Sequence, residues 1–231
     1  MALVPRKPRP LNRDSGFRDD RLCIIACDDC YAPKQYFEFF AIPRIQIHVV
    51  STQDGTSVAE HVLDRLLDFK KSVDSDDELW MLLDTDHCIR DTHLGGFTEA
   101  LRRASKAGVN VALSRPSFEL WLLLHYRDES AVLDLPNATK VEEALRDILG
   151  GYNKTKLKRE HYPGTLLATA IERAERLDLS VPGGDIPSSN TTRVYRLWKS
   201  IVSKALPSQL PVYLRAIQAV QNALDLSPNQ E

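Results

Sequence analysis

The stretch Glu78–Asp86, ELWMLLDTD, decides the fold. Its apolar run is too short for an ordinary helix, follows the acidic turn of Asp74, Asp76 and Asp77, and breaks off at two aspartates spaced i, i+2. That pattern reads as a buried strand, Glu78–Leu83, ending at Asp84. Working outward, similar runs occur at Leu22–Ile25, which leads into Asp28 and Asp29, at Ile45–Val50, and at Val109–Leu113. Helical patterns separate them: a short aromatic one at Tyr36–Phe40, one marked by Val58, Val62, Leu66 and Phe69, and one marked by Phe97, Leu101 and Ala104. Four strands joined by crossovers of this length imply an α/β fold with a mainly parallel sheet covered by helices on both faces.

Beyond Phe118 the character changes. Glu119–Tyr126, Lys140–Leu149, Leu166–Leu177, Thr192–Ala205 and Val212–Leu226 read as helices, with no strand among them, and Val181–Asn190 reads as an exposed loop. The expected organisation is a flexible basic arm over residues 1–20 (Arg6, Lys7, Arg9, Arg13), an α/β core over 21–126, and a helical extension over 127–231 packed on that core. A formal net charge of −2 argues against a protein that coats nucleic acid, but leaves room for one that holds it at a local patch. No apolar run approaches the ~20 residues of a membrane-spanning helix. The first residues lack the apolar centre of a secretory signal, and four cysteines without such a signal suggest free thiols in a reducing compartment, the cytoplasm.

In open parallel sheets, ligands collect beyond the carboxyl ends of the strands. Asp28, Asp29, Asp84 and Asp86 stand there, with Glu119 soon after the fourth strand. Hard carboxylate oxygens suit Mg²⁺ or Mn²⁺, which take one or two carboxylates together with waters and a phosphate. Aspartates at turns and helix caps supply a competing, purely structural account. For Glu119 the competing account is an acid favoured by a helix N-terminus. Cys27, Cys30, His87 and Cys88 raise a zinc alternative, weakened by the adjacency of His87 and Cys88. Tyr152, Lys154, Lys156, Lys158, Arg159 and His161 interleave cations with aromatic character, as nucleic-acid surfaces do, and Arg115 is a further phosphate contact. The alternative for that segment is a solvated loop. His125 reads as a structural histidine.

Ser114–Tyr126, SRPSFELWLLLHY, resembles the hallmark of the RloB family, Asn-Pro-x-Phe-Glu-Leu-Trp-Leu-Leu-Leu-His, with matches at Pro116, Phe118, Glu119, Leu120, Trp121 and His125 and with Arg115 in place of the asparagine. Leu82–His87 (LLDTDH) resembles the family's Asp-x-Asp strand end. Cys27-Asp28 followed by Tyr36-Phe37 resembles its first motif, Cys-Glu-Gly-x-x-Thr-Glu-x-x-Tyr-Phe, and Tyr152–Lys156 (YNKTK) its Tyr-x-Lys element. The resemblance spans Leu22 to Tyr162. It implies a Toprim-like fold from prokaryotic loci of abortive infection and anti-phage defence. It further implies an Mg²⁺- or Mn²⁺-dependent nuclease acting on RNA or DNA, with the metal on Asp84 and Asp86 and acid–base work at the first-motif glutamate; in this sequence Asp28 and Asp29 jointly stand for that group, and Glu119, after the fourth strand, joins the metal cleft directly or through water. The family's glutamate is Asp28 here, its glycine Asp29, and its Thr-Glu pair Ala32-Pro33. Asp28 is one methylene shorter than glutamate. The departure sustains a second expectation: a weak or inactive Toprim-like module that binds nucleic acid or a nucleotide signal, or that regulates a partner ATPase. A homo-oligomer is compatible with either, and no membrane partner is expected.

Overall fold

The computed structural model describes residues 21–52, 58–70, 77–86, 93–208 and 210–225. In chain order the elements are β1 (Arg21–Cys27), α1 (Ala32–Glu38), β2 (Ile45–Val50), α2 (Ala59–Lys70), β3 (Glu78–Asp84), α3 (Leu94–Lys106), β4 (Asn110–Arg115), α4 (Glu119–Leu123), α5 (Ala138–Leu149), α6 (Gly164–Ser180), β5 (Thr191–Thr192), α7 (Val194–Lys204) and α8 (Val212–Asp225). The basic arm, Asp74, Asp76, His87 and Cys88 lie outside the described residues.

The unbroken apolar runs are explained by the two-residue period of a strand. Cys23, Ile25 and Cys27 of β1, with Trp80 and Leu82 of β3, join a core beneath α1 and α4–α8. Ile24 and Ala26, with Leu79, Met81 and Leu83, join a second core beneath α2 and α3. The sheet order is β2-β1-β3-β4-β5, with the first three pairings parallel. This is the expected α/β architecture, with C-terminal helices on one face.

Three boundaries differ from the sequence reading. The first helix begins at Ala32, four residues earlier than the aromatic pattern predicts, because Pro33 suits a first helical turn. The helix at Glu119 ends at Leu123 and continues as turns to Tyr126. Thr191–Thr192, in a stretch expected to hold no strand, pairs antiparallel with Ser114 and Arg115. Two residues carry no readable period. This strand is fixed instead by tertiary contacts, among them a buried Ser114–Thr192 hydroxyl bond of 2.8 Å and the Arg193 N–H donating to the Leu113 carbonyl.

Several of the motif residues quoted above meet in the core. The ring of Tyr36 packs 5.7 Å from Phe118, 6.2 Å from Trp121 and 5.6 Å from His125. His125 is fully enclosed, with Nδ1 3.0 Å from the Trp121 carbonyl and Nε2 3.1 Å from the Tyr36 hydroxyl. Burial holds its pKa down at about 4, so it is a neutral structural histidine at pH 7. No helix among the described residues is long and apolar enough to cross a membrane.

Candidate functional site: an acidic cavity at the strand ends

Parallel registration of β1, β3 and β4 sets Cys27 beside Leu82 and Asp84 beside Ser114, so the three strands release their chains at one edge. There Asp28 turns its Oδ2 towards β3 and accepts a 2.8 Å hydrogen bond from the Asp84 backbone N–H. The turn after Asp84 is held from the other side: Thr85 N–H donates to the carbonyls of Ser114 and Pro116, and Asp86 N–H donates to Pro116. The consequence is a cavity of about 420 Å³ lined by Asp28, Asp29, Asp84, Asp86, Glu119 and Glu142, with Lys154 the one cation among the described residues facing it. Ala138 and Thr139, in the first turn of α5, close one side.

Burial and mutual repulsion are visible in the acidities. Loss of solvent drives Asp28 up to about 7, reinforced by the charges of Asp29 and Asp86 and opposed by the Asp84 N–H. Asp84 is pushed well above the usual carboxylate range, first by burial and then by Asp28, Glu119 and Asp86. Glu119 is raised by burial despite two neutral donors, Ser117 Oγ at 2.7 Å and Tyr152 Oη at 2.8 Å, one on each carboxylate oxygen. Asp29 is employed differently. Its Oδ1 accepts from the backbone N–H groups of Tyr31 and Ala32 ahead of α1, and its Oδ2 lies 3.8 Å from Lys154 Nζ. Burial lowers the Lys154 pKa, but Asp29, Glu119 and Glu142 outweigh that and hold it above the ordinary value.

The basic segment is divided by the structure. Gly150, in the left-handed conformation at φ 66°, closes α5 and turns the chain into it. Lys154 enters the acidic cavity, whereas Tyr152, Lys156, Lys158 and His161 line a separate cavity of about 290 Å³. Arg159 is exposed and borders neither. Arg115 donates to the Pro187 carbonyl at 2.7 Å and lines a third cavity, of about 450 Å³, which meets the acidic one at Asp86.

Two positioning residues escaped the sequence reading. Ser117 orients Glu119, and Gln35 clamps the basic segment to α1. The Gln35 amide donates to the Lys154 carbonyl at 2.9 Å and accepts from the Leu157 N–H at 2.9 Å. These pairings join positions 119 and 122 residues apart, and nothing in local sequence announces them. Cys23, Cys27 and Cys30 are free thiols. The Cys27 Sγ lies buried against the Asp29 carbonyl, a place for a packed thiol rather than a metal ligand.

Among the described residues no group of three or more His, Cys, Asp and Glu side chains is arranged to hold a metal ion unaided. The donor set is nevertheless of the right chemistry for Mg²⁺ or Mn²⁺, which need only one or two carboxylates when water and phosphate complete the shell. A dication would also relieve the repulsion that raises Asp28 and Asp84. The model of a family described as RloB-like protein matches residues 23–201. No curated protein and no solved structure matches the chain.

Proposed function

The chain belongs to the RloB-like protein family, and from that premise we propose that it is a Toprim-type nuclease, hydrolysing phosphodiester bonds of RNA or DNA with Mg²⁺ or Mn²⁺ in the cytoplasm of prokaryotes defending against phage. The observation that carries this reading is the convergence of Asp28, Asp84 and Asp86 on one cavity, with Asp28 bonded directly to the backbone of Asp84. Asp84 and Asp86 would hold the ion. Bound there, it supplies Lewis acidity towards a phosphate oxygen.

The remaining work falls to the chain's own groups. Asp28 lines the same cavity as Asp84 and Asp86 and is hydrogen-bonded to the Asp84 backbone, which suits it as the general base towards an attacking water. Lys154 offers a positive charge to a phosphate oxygen at the same cavity. Glu119, with both oxygens already accepting hydrogen bonds, is better placed to hold the floor of the cavity, and Asp29 to fix α1 and Lys154.

A second reading is favoured by the shorter acid at position 28: a non-hydrolytic module that binds nucleic acid or a nucleotide signal, or that controls a partner ATPase. One set of measurements separates them. Purified protein is incubated with single-stranded RNA, single-stranded DNA and duplex DNA, with Mn²⁺ or with EDTA, alongside the Asp84→Asn variant. Mn²⁺-dependent cleavage that Asp84→Asn abolishes is the expected result. Mn²⁺ binding without cleavage of any substrate would favour the second reading, and absence of Mn²⁺ binding would refute the metal site.

A further inference from the structure

Beside the acidic cavity lies one of opposite character. Tyr152, Leu157 and Tyr162 give it aromatic and aliphatic walls, Lys156, Lys158 and His161 supply its basic groups, and no carboxylate lines it. Lys156 and Lys158 are exposed, and no acidic partner engages either among the described residues. Tyr152 connects the two cavities: it lines the basic one, and its hydroxyl donates to Glu119, which lines the acidic one. The wall between them is also pinned: Gln35 holds Lys154 and Leu157, and Lys154 faces Asp29. A ligand spanning both would therefore place one part against carboxylates and an adjacent part against an aromatic slot rimmed by cations.

We infer that the slot receives an unpaired nucleobase next to the phosphodiester held at the acidic cavity, so that the substrate is single-stranded nucleic acid. The inference rests on the phosphodiesterase reading and names its substrate class. Three arguments support it. The slot's volume, about 290 Å³, lies just under the ~300–1,000 Å³ typical of small-ligand sites, a size suited to a small planar group such as one base. Tyr152 is half-buried and lines the slot, and stacking on an aromatic ring there requires a base already out of a duplex. Lys156 and Lys158 line the same slot and are exposed, so they can meet backbone phosphates of that strand without regard to its sequence.

The test is equilibrium binding of fluorescently labelled oligonucleotides in EDTA, so that neither metal nor cleavage enters. Single-stranded RNA, single-stranded DNA of the same sequence, and the corresponding blunt duplex are compared. The single strand is expected to bind about tenfold or more tightly than the duplex, the value of one stacked base. Preference for RNA, for DNA or for neither then identifies the source of the strand, and each is compatible with the slot. Tyr152→Ala should lose about tenfold in single-strand affinity while Tyr152→Phe, which keeps the ring, retains it. Lys156→Ala with Lys158→Ala should weaken binding and flatten its salt dependence.

A duplex bound as tightly as the single strand would overturn the inference, as would wild-type affinity in the lysine double variant. Should Tyr152→Ala fail to fold, photo-crosslinking of a 4-thiouridine oligonucleotide to the wild type decides. Adducts on the Tyr152–Tyr162 peptide support the slot, and adducts confined elsewhere refute it. Failure of the nuclease reading would show separately, as absent Mn²⁺-dependent cleavage, and would leave this EDTA binding intact.

Discussion

Replacing Asp28 with Asn should stabilise the metal-free protein, and should do so only above acidic pH. Asn keeps an oxygen to accept the Asp84 N–H but carries no charge among Asp29, Asp84 and Asp86. The carboxyl of Asp28 rises from 3.8 to about 7 on folding. A group whose pKa is raised in the folded state adds stability below its unfolded value, and that stability is lost as pH climbs through the folded value. The wild type is therefore penalised between pH 3.8 and about 7, by about 4 kcal/mol at the upper end, since each tenfold in proton affinity is about 1.4 kcal/mol. Asp28 is only half-buried and shares its repulsion with Asp84, so about half of that, roughly 2 kcal/mol, is the gain expected in urea denaturation at pH 8 in EDTA. The gain should shrink to nothing near pH 4, and Mn²⁺ should stabilise the wild type more than the variant. A variant less stable than wild type at pH 8, or a difference independent of pH, would refute the view that Asp28 is a strained charge awaiting a cation.

Asp84→Asn should lower Mg²⁺ and Mn²⁺ affinity by at least about tenfold in calorimetric titration without lowering the melting temperature, since it removes a charge that the fold holds at a cost; undiminished affinity would remove Asp84 from the ligand set. His125 has the opposite pH signature to Asp28. Its pKa is depressed from 6.5 to about 4, so its stability is present above 6.5 and lost as pH falls through 4, by about 3 kcal/mol. The two slopes oppose each other in one window, so the histidine's should emerge most clearly in the Asp28→Asn background, and a flat profile there would argue against a buried neutral imidazole. Gln35→Ala removes both ends of the clamp on the basic segment and should cost about 1–2 kcal/mol, with weaker single-strand binding in EDTA. Unchanged stability and binding would mean that the segment is held without it.

The sequence by itself determined the layered α/β fold, because burial on both faces of a parallel strand leaves a local signature: unbroken apolar runs ended by acids, separated by helical periods. It determined equally that Asp28, Asp29, Asp84 and Asp86 would stand at strand ends, since the position of an acid after a strand is a property of a few neighbouring residues. Tertiary structure decided what each of them does. Whether Asp28 is a strained charge and Asp29 a helix-positioning group depends on which backbone N–H lies nearby, and for Asp28 that N–H belongs to a residue 56 positions away. The same holds for the basic segment. A run of alternating lysines looks like one patch in sequence, but the pinning of Tyr152 on Glu119, 33 residues away, and of Leu157 on Gln35, 122 away, sends Lys154 to the carboxylates and Lys156 and Lys158 to the slot beside them. The strand Thr191–Thr192 was illegible for a related reason: two residues cannot show a period, and only an open edge on β4 makes them a strand. Local pattern fixes what a segment can become, whereas crossovers between distant segments fix which polar groups meet, and in this protein the chemistry depends on those meetings.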